Sequence, residues 1–267
     1  MRVLAVIPAR YASTRFPGKP LAPLGGRPMV EWVWERVASL PGLERAVVAT
    51  DDGRIARAVA AFGGRAMLTS GGHRSGTDRC GEVLERLEAA GEVYDVVLNV
   101  QGDEPFVRRE QLESLTACFA EGDTQIATLR TVIRESEELL SPNGVKVVCD
   151  RRGGALYFSR QPIPYLRGVA EEEWLQNHTY YKHVGIYAFR ASTLKELVRL
   201  PQSPLELGEN LEQLRWLENG YSIKVCLTEA GNMGIDTPED LAAAERYLDE
   251  NFNSQSRGSD HLECVNV

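Results

Sequence analysis

At 267 residues, with 43% hydrophobic and 25% charged side chains, the chain has the composition of an ordinary globular protein and is long enough to bury a substantial core as one large or two small domains. A formal net charge of -8, from 30 Lys and Arg against 38 Asp and Glu, argues against a nucleic-acid partner, which would call for a broad cationic excess. No apolar run approaches membrane-spanning length, and Val3 to Ile7 is too short for a signal-peptide core, so the expectation is a cytoplasmic protein with no membrane partner.

In chain order, Val3 to Ile7 reads as a short buried strand, followed by a loop rich in Gly, Pro, Ser and Thr. The first thirty residues hold five cationic side chains and no acidic one. Within an acidic chain that inversion marks a polyanion site, carried by Arg10, Arg15 and Lys19. A Walker loop is excluded because Lys19 is followed by Pro20, and no G-x-G-x-x-G follows the strand. The loop therefore works through side chains: guanidinium forks suit phosphate oxygens, and Lys19 adds a compact point charge.

Helical and strand patterns then alternate: helix Met29 to Leu40, strand Ala46 to Thr50, helix Gly53 to Phe62, strand Arg65 to Thr69, helix Gly76 to Ala90, strand Val93 to Val100. Repeated β-α order implies a mainly parallel, doubly wound sheet with helices on both faces. Beyond Arg109 the order changes. Gln125 to Ile133, Val145 to Cys149 and Ala155 to Phe158 read as strands with little helix between them, which predicts a smaller mixed or antiparallel layer over about 125–190. Strand His183 to Arg190, helices Thr193 to Leu200 and Leu207 to Asn219, strand Tyr221 to Thr228 and a helix from Pro238 to about Asn251 complete residues 1–251 as one domain. Residues 252–267 lack periodicity and read as a disordered tail. Five cysteines (Cys80, Cys118, Cys149, Cys226 and Cys264) without a C-x-x-C pair fit reduced packing thiols and argue against a zinc site.

Two acids stand where strands end. In D-V-V-L-N-V-Q-G-D-E-P-F, Asp103 follows a buried strand and faces the same edge as Arg10, beside Gln101. A carboxylate next to a polyphosphate repels it unless a hard cation bridges them, which makes Asp103 a candidate Mg²⁺ ligand. In G-I-D-T-P-E-D-L, Thr237, Pro238 and Asp240 fit N-cap, N1 and N3 of a helix, leaving Asp236 free to point elsewhere. Two acids and a cationic loop make a minimal kit for metal-assisted attack on a nucleotide phosphate. In H-V-G-I-Y, His183 and Tyr187 share a strand face with Gly185 between them, leaving room for a ligand.

The ordered motifs I-P-A-R-Y-A-S-T-R-F-P-G-K-P-L, A-T-D, H-R-S-G-T-D-R, L-N-V-Q-G-D-E-P, A-L-Y-F-S-R-x-P-I-P, H-V-G-I-Y, S-P-L-E-x-x-E-x-L-E-Q-L-R and G-I-D-T-P-E-D-L resemble the 3-deoxy-manno-octulosonate (Kdo) cytidylyltransferases from Met1 to about Leu248. The resemblance implies a nucleotide-diphospho-sugar transferase fold with a dimerising layer, a homodimer, and formation of CMP-Kdo and pyrophosphate from CTP and Kdo, for lipopolysaccharide biosynthesis. It also implies catalytic and triphosphate-binding roles for Arg10 and Lys19, with Arg15 as helper. Ser75, Asp78 and Arg79 resemble the motif at the cytosine end, although S-G-T-D also reads as a helix start. Asp103 and Asp236 resemble the Mg²⁺ ligands, and Gln101 lies where nucleotide and sugar meet. His183, Tyr187, Glu212 and Gln213 resemble sugar contacts, and Arg160 meets the sugar carboxylate or a phosphate. The alternatives are a cytidylyltransferase for an 8-amino Kdo variant or a sialic-acid-like acid, and a nucleotide-binding regulator without catalysis. A sugar-1-phosphate nucleotidyltransferase fits less well, because the opening loop is not the Gly-rich G-x-G-T-R run.

Overall fold

A computed structural model describes residues 1–13, 15–120, 122–229 and 234–257. The strands are β1 (Val3–Pro8), β2 (Pro23–Leu24), β3 (Arg27–Pro28), β4 (Leu43–Thr50), β5 (Ala66–Leu68), β6 (Val96–Asn99), β7 (Ile126–Val132), β8 (Lys146–Cys149), β9 (Ala155–Ser159), β10 (Tyr181–Arg190) and β11 (Ile223–Leu227). The α-helices are α1 (Met29–Ala38), α2 (Gly53–Ala61), α3 (Gly76–Ala89), α4 (Arg109–Ala117), α5 (Ser136–Leu140), α6 (Trp174–Asn177), α7 (Ala191–Leu197), α8 (Pro204–Glu209), α9 (Glu212–Glu218) and α10 (Pro238–Arg257).

The main sheet runs β11-β7-β10-β6-β1-β4-β5. Pairing is parallel throughout except at β10, which lies antiparallel to both β6 and β7. Every residue of β1 is buried, as a central strand covered on both faces requires. Its side chains divide by the period of two: Val3, Ala5 and Ile7 join α1, α2 and α4 in one core, while Leu4 and Val6 join α3, α7 and α9 in the other. The arrangement is doubly wound α/β. The antiparallel part is a β8-β9 hairpin joined to the lower end of β10, at Lys182 opposite Lys146.

Several element boundaries differ from the sequence expectation. The helix expected over Leu207 to Asn219 is two helices, because Asn210 turns left-handed at φ 53°, a conformation asparagine tolerates better than most residues. Ser203 and Glu206 close a capping box that starts the first of them earlier, at Pro204. Helix α4 was not foreseen, although Leu112 and Leu115, both fully buried, stand three residues apart on its inner face. The last helix continues to Arg257. No glycine or proline follows Pro238 until Gly258, so nothing in residues 252–257 stops it; the rest of the expected tail lies outside the described residues.

Candidate active site

Strand β1 delivers the chain to the sheet edge, where Gly18 reverses the cationic loop at φ 75° and caps a 3-10 helix Lys19–Leu21. A Cβ on Gly18 would come within 3.0 Å of the Tyr11 ring, and the Gly18 amide donates to the Tyr11 carbonyl at 2.8 Å. The Arg54 guanidinium lies 3.4 Å from the centre of the same ring, a cation-π contact that fixes the loop to α2. Beside this loop, the Gly102 amide donates to the Pro8 carbonyl at 3.1 Å. A Cβ on Gly102 would meet that oxygen at 2.9 Å, so only glycine lets the segment after β6 approach β1 so closely. The third segment arrives when Ile235 donates its amide to the Asp103 carbonyl at 3.0 Å. Ile235, Ala244 and Leu248 then bury against Leu24 and Met29.

These three segments bring Lys19, Asp103 and Asp236 together. Lys19 Nζ lies 2.5 Å from Asp103 Oδ2 and 3.0 Å from Asp236 Oδ1, while Arg15 reaches the other Asp236 oxygen at 3.0 Å. Lys19 is buried, 8% exposed, and the buried ammonium must be paired. Burial disfavours its charge, but the two carboxylates outweigh that and raise its pKa above the ordinary value. Burial likewise opposes ionisation of Asp236, yet Lys19 and Arg15 hold its carboxyl below the usual range.

Next to this triad lies a cavity of about 310 Å³ lined by Arg10, Arg15, Lys19, Ser75, Arg79, Gln101, Asp103 and Asp236. All eight are residues singled out from the sequence. Gln101 donates Nε2 to Asn99 Oδ1 at 2.8 Å, and Gly76 clears its path, since a Cβ there would stand 2.8 Å from the same nitrogen. Sequence reasoning missed Ser13, His73 and Arg74, which also line the cavity. His73 and Arg74 open the H-R-S-G-T-D-R run, so the signal was present in the motif but not assigned.

Asp78 is not among the lining residues. It completes the α3 capping box, accepting from the Ser75 amide at 3.3 Å, while Ser75 Oγ accepts from the Asp78 amide at 3.1 Å. The helix-start reading of S-G-T-D thus describes what Asp78 does in this fold. Arg79 is buried, donates to Thr69 and pairs with Asp51 at 3.2 Å. Arg160 does not reach the cavity. Its guanidinium donates to the Glu209, Pro142 and Asn210 carbonyls, and its amide to the Glu209 carboxylate.

The remaining candidates form a second cluster. The His183 and Tyr187 rings stand 5.3 Å apart, with Phe158 edge-on to His183 and Trp216 edge-on to Tyr187. The alternation drawn from the sequence holds, with Val184, Ile186 and Ala188 in one core and Tyr187 in the other, because the β10-β7 register shift between Val184 and Tyr187 adds two residues and returns the strand to the same facing. The two rings meet, and among the described residues other than its chain neighbours no atom lies within 4 Å of where a Gly185 Cβ would be. Thr128 Oγ1 lies 2.8 Å from His183 Nε2 and 2.9 Å from the Ile186 carbonyl. Since the single hydroxyl proton is directed at a carbonyl, the imidazole donates from Nε2 and leaves Nδ1 as an acceptor. Burial pushes the His183 pKa down to about 3 and the Tyr187 phenol well up, so both are neutral near pH 7.

Glu212 connects cluster and cavity. It accepts from Ser75 at 2.8 Å, Thr77 at 2.7 Å and Arg215 at 2.6 Å. Burial raises its pKa, against the pull of those hydrogen bonds. Gln213, one residue on, is buried.

A parallel α/β sheet with a cationic loop and two convergent acids at its carboxyl edge is the layout of a nucleotidyltransferase. The sequence model for cytidylyltransferases matches residues 4–224. The 3-deoxy-manno-octulosonate cytidylyltransferase of Parabacteroides distasonis is 54% identical over 93% of this chain and 98% of its own length. That of Phocaeicola vulgatus is 56% identical over the same shares. A solved structure of CMP:2-keto-3-deoxy-manno-octonic acid synthetase complexed with CTP superposes with a TM-score of 0.86 at 40% identity, covering 94% of this chain and 99% of that one. The chain belongs to the 3-deoxy-manno-octulosonate cytidylyltransferase family.

Proposed function

We propose that this protein transfers the cytidylyl group of CTP to Kdo, giving CMP-Kdo and pyrophosphate, and thereby activates the sugar acid for lipopolysaccharide assembly. The observation that carries the reading is the convergence of Lys19, Asp103 and Asp236 beside a cavity with Arg10 and Arg15 on its wall.

The donor set fits Mg²⁺. Two carboxylates from separate segments already converge on one position, bridged by the Lys19 ammonium. Among the described residues no group of three or more His, Cys, Asp or Glu gathers as a metal cage. A cation held by one or two carboxylates and completed by phosphate oxygens and water is the usual Mg²⁺ arrangement. Asp103 and Asp236 would hold it; when bound, it supplies charge neutralisation at the α-phosphate and acidifies a neighbouring hydroxyl.

The protein's own groups divide the rest of the work. Arg10, Arg15 and Lys19 bind the triphosphate and stabilise charge growing on pyrophosphate as the C2 hydroxyl of Kdo attacks the α-phosphorus in line. Lys19 must leave the two acids to do so, exchanging carboxylate partners for phosphate ones. Ser75 and Arg79 shape the base end of the cavity, with their donors fixed by Glu212, Thr69 and Asp51. Gln101 gives one amide N–H to Asn99 and keeps its carbonyl oxygen and second N–H for the ligand. His183, being neutral, offers hydrogen bonds to sugar hydroxyls rather than charge, and Tyr187, Glu212 and Gln213 complete that end. Arg160 supports it by tying β9 to the end of α8.

We further assign the homodimer contact to the β8-β9 arm and the segment after it, where Leu156 is 62% and Tyr165 is 73% exposed; light scattering that returned a monomer would remove that assignment. No helix among the described residues is long and apolar enough to cross a membrane, and we place the enzyme in the cytoplasm with its nucleotide substrate. The names of the relatives favour Kdo over its 8-amino variant and over sialic-acid-like sugars. The test is pyrophosphate release with each of four nucleotides crossed with Kdo, 8-amino-Kdo and a sialic acid. Release with CTP and Kdo is expected; preference for another nucleotide or for the sialic acid would overturn the proposal.

A further inference from the structure

Away from the active site, two of the cysteines meet. Cys118 caps the end of α4 and Cys226 lies on β11, the edge strand of the sheet, and their Sγ atoms are 3.0 Å apart. Two periodicities produce the meeting. On β11, Ile223 and Val225 enter one core while Cys226 turns to the other. On α4, Leu112, Leu115 and Cys118 repeat every third residue toward that same face. Both thiols are half-buried, whereas Cys80 is buried. Lys224 and Arg130 place positive charge near Cys226, the setting in which a thiolate forms and reacts.

We propose that Cys118 and Cys226 form a reversible disulfide by exchange with low-molecular-weight disulfides. The Cys226 thiolate attacks one sulfur of the small disulfide, forming a mixed disulfide and expelling one small thiolate. Cys118 then attacks Cys226 Sγ, forming the internal bond and expelling the second, which takes up the Cys118 proton. Two protein thiols are oxidised, one disulfide is reduced, and two small thiols leave. The hydrogen bonding and nearby cations hold the Cys226 thiol below its ordinary pKa while Cys118 is pushed up, in keeping with Cys226 as attacker and Cys118 as the resolving thiol. The bond would strap α4 to β11, the helix that follows Asp103 and the strand that precedes Asp236.

The test treats the purified full-length protein with oxidised glutathione, alkylates the remaining thiols and maps tryptic peptides by mass. The expected result is loss of two of the five thiols, a peptide joining Cys118 to Cys226, and recovery of both with dithiothreitol. C118S, checked for a wild-type melting profile, should accumulate one glutathionyl group on Cys226. C226S should lower the rate of Cys118 oxidation by about tenfold or more. A linked peptide involving Cys149 or Cys264, or glutathionylation without any internal link in the wild type, would overturn the proposal. The wild-type map decides the matter even if a variant fails to fold.

Discussion

The two ends of the site are built on opposite principles. At the triphosphate end the charges are drawn together across three chain segments and satisfy one another through Lys19, with Arg15 still 62% exposed. At the sugar end His183 and Tyr187 are held by rings and a hydroxyl and kept neutral by burial, while Glu212 is held by two hydroxyls and the Arg215 guanidinium. The Lys19 ammonium is itself buried, so it leaves the carboxylates only for partners that also carry negative charge, whereas the buried polar groups of the sugar end must keep the partners they have. One end is therefore made to swap partners when a polyanion and a cation arrive, and the other to stay as it is.

The sharpest way to break that contrast is at Asp103. D103N keeps an acceptor for Lys19 but loses the charge, and turnover should fall about 10²–10³-fold with folding retained, as read by pyrophosphate release against thermal melting. K19M should cost on the order of 10²-fold in kcat/KM, because a phosphate contact strengthened in the transition state is lost. A merely structural Lys19 would instead lower the melting temperature while leaving kcat/KM near wild type.

At the sugar end the order of effects reverses, with stability moving first. E212A strands Ser75, Thr77 and Arg215 and should cost about 1–3 kcal/mol of stability in urea unfolding. A variant as stable as wild type would show that the network does not preorganise this end. G185A is the complementary case: the site for its Cβ is open, so melting should be unchanged while KM for Kdo rises about tenfold if that opening receives the sugar. An unchanged KM would place the sugar elsewhere.

A further test uses pH, where the expected effect is a change of slope rather than a loss of activity. His183 has a folded pKa near 3 against an ordinary value of 6.5, so below 6.5 the unfolded chain takes up a proton that the folded chain refuses. The His183 contribution is complete above pH 6.5 and declines as pH falls toward 3. H183Q should flatten the fall in melting temperature between about pH 7 and pH 5; equal slopes in both proteins would contradict a buried neutral imidazole.

What could be read from the chain alone follows from the same contrast. The parallel sheet and the strand-end positions of Asp103 and Asp236 rest on local pattern, and so does the cationic loop. The α3 cap, too, is local, with Ser75 and Asp78 only three residues apart. What escaped was set by distant partners. Glu212 meets Ser75 across 137 residues, and Arg160 meets Glu209 across 49, where no periodicity can signal a hydrogen bond. The register shift in β10 escaped for a related reason, since it is defined against β7 rather than by the strand's own residues.

The account stands most directly on whether Asp103 and Asp236, with the phosphates of CTP, form one cation site. Mn²⁺ binding followed by electron paramagnetic resonance in the presence of CTP measures this without turnover. Wild type and K19M should hold the ion, whereas D103N and D236N, melting like wild type, should lose it; full retention of Mn²⁺ in both carboxamide variants would contradict the assignment.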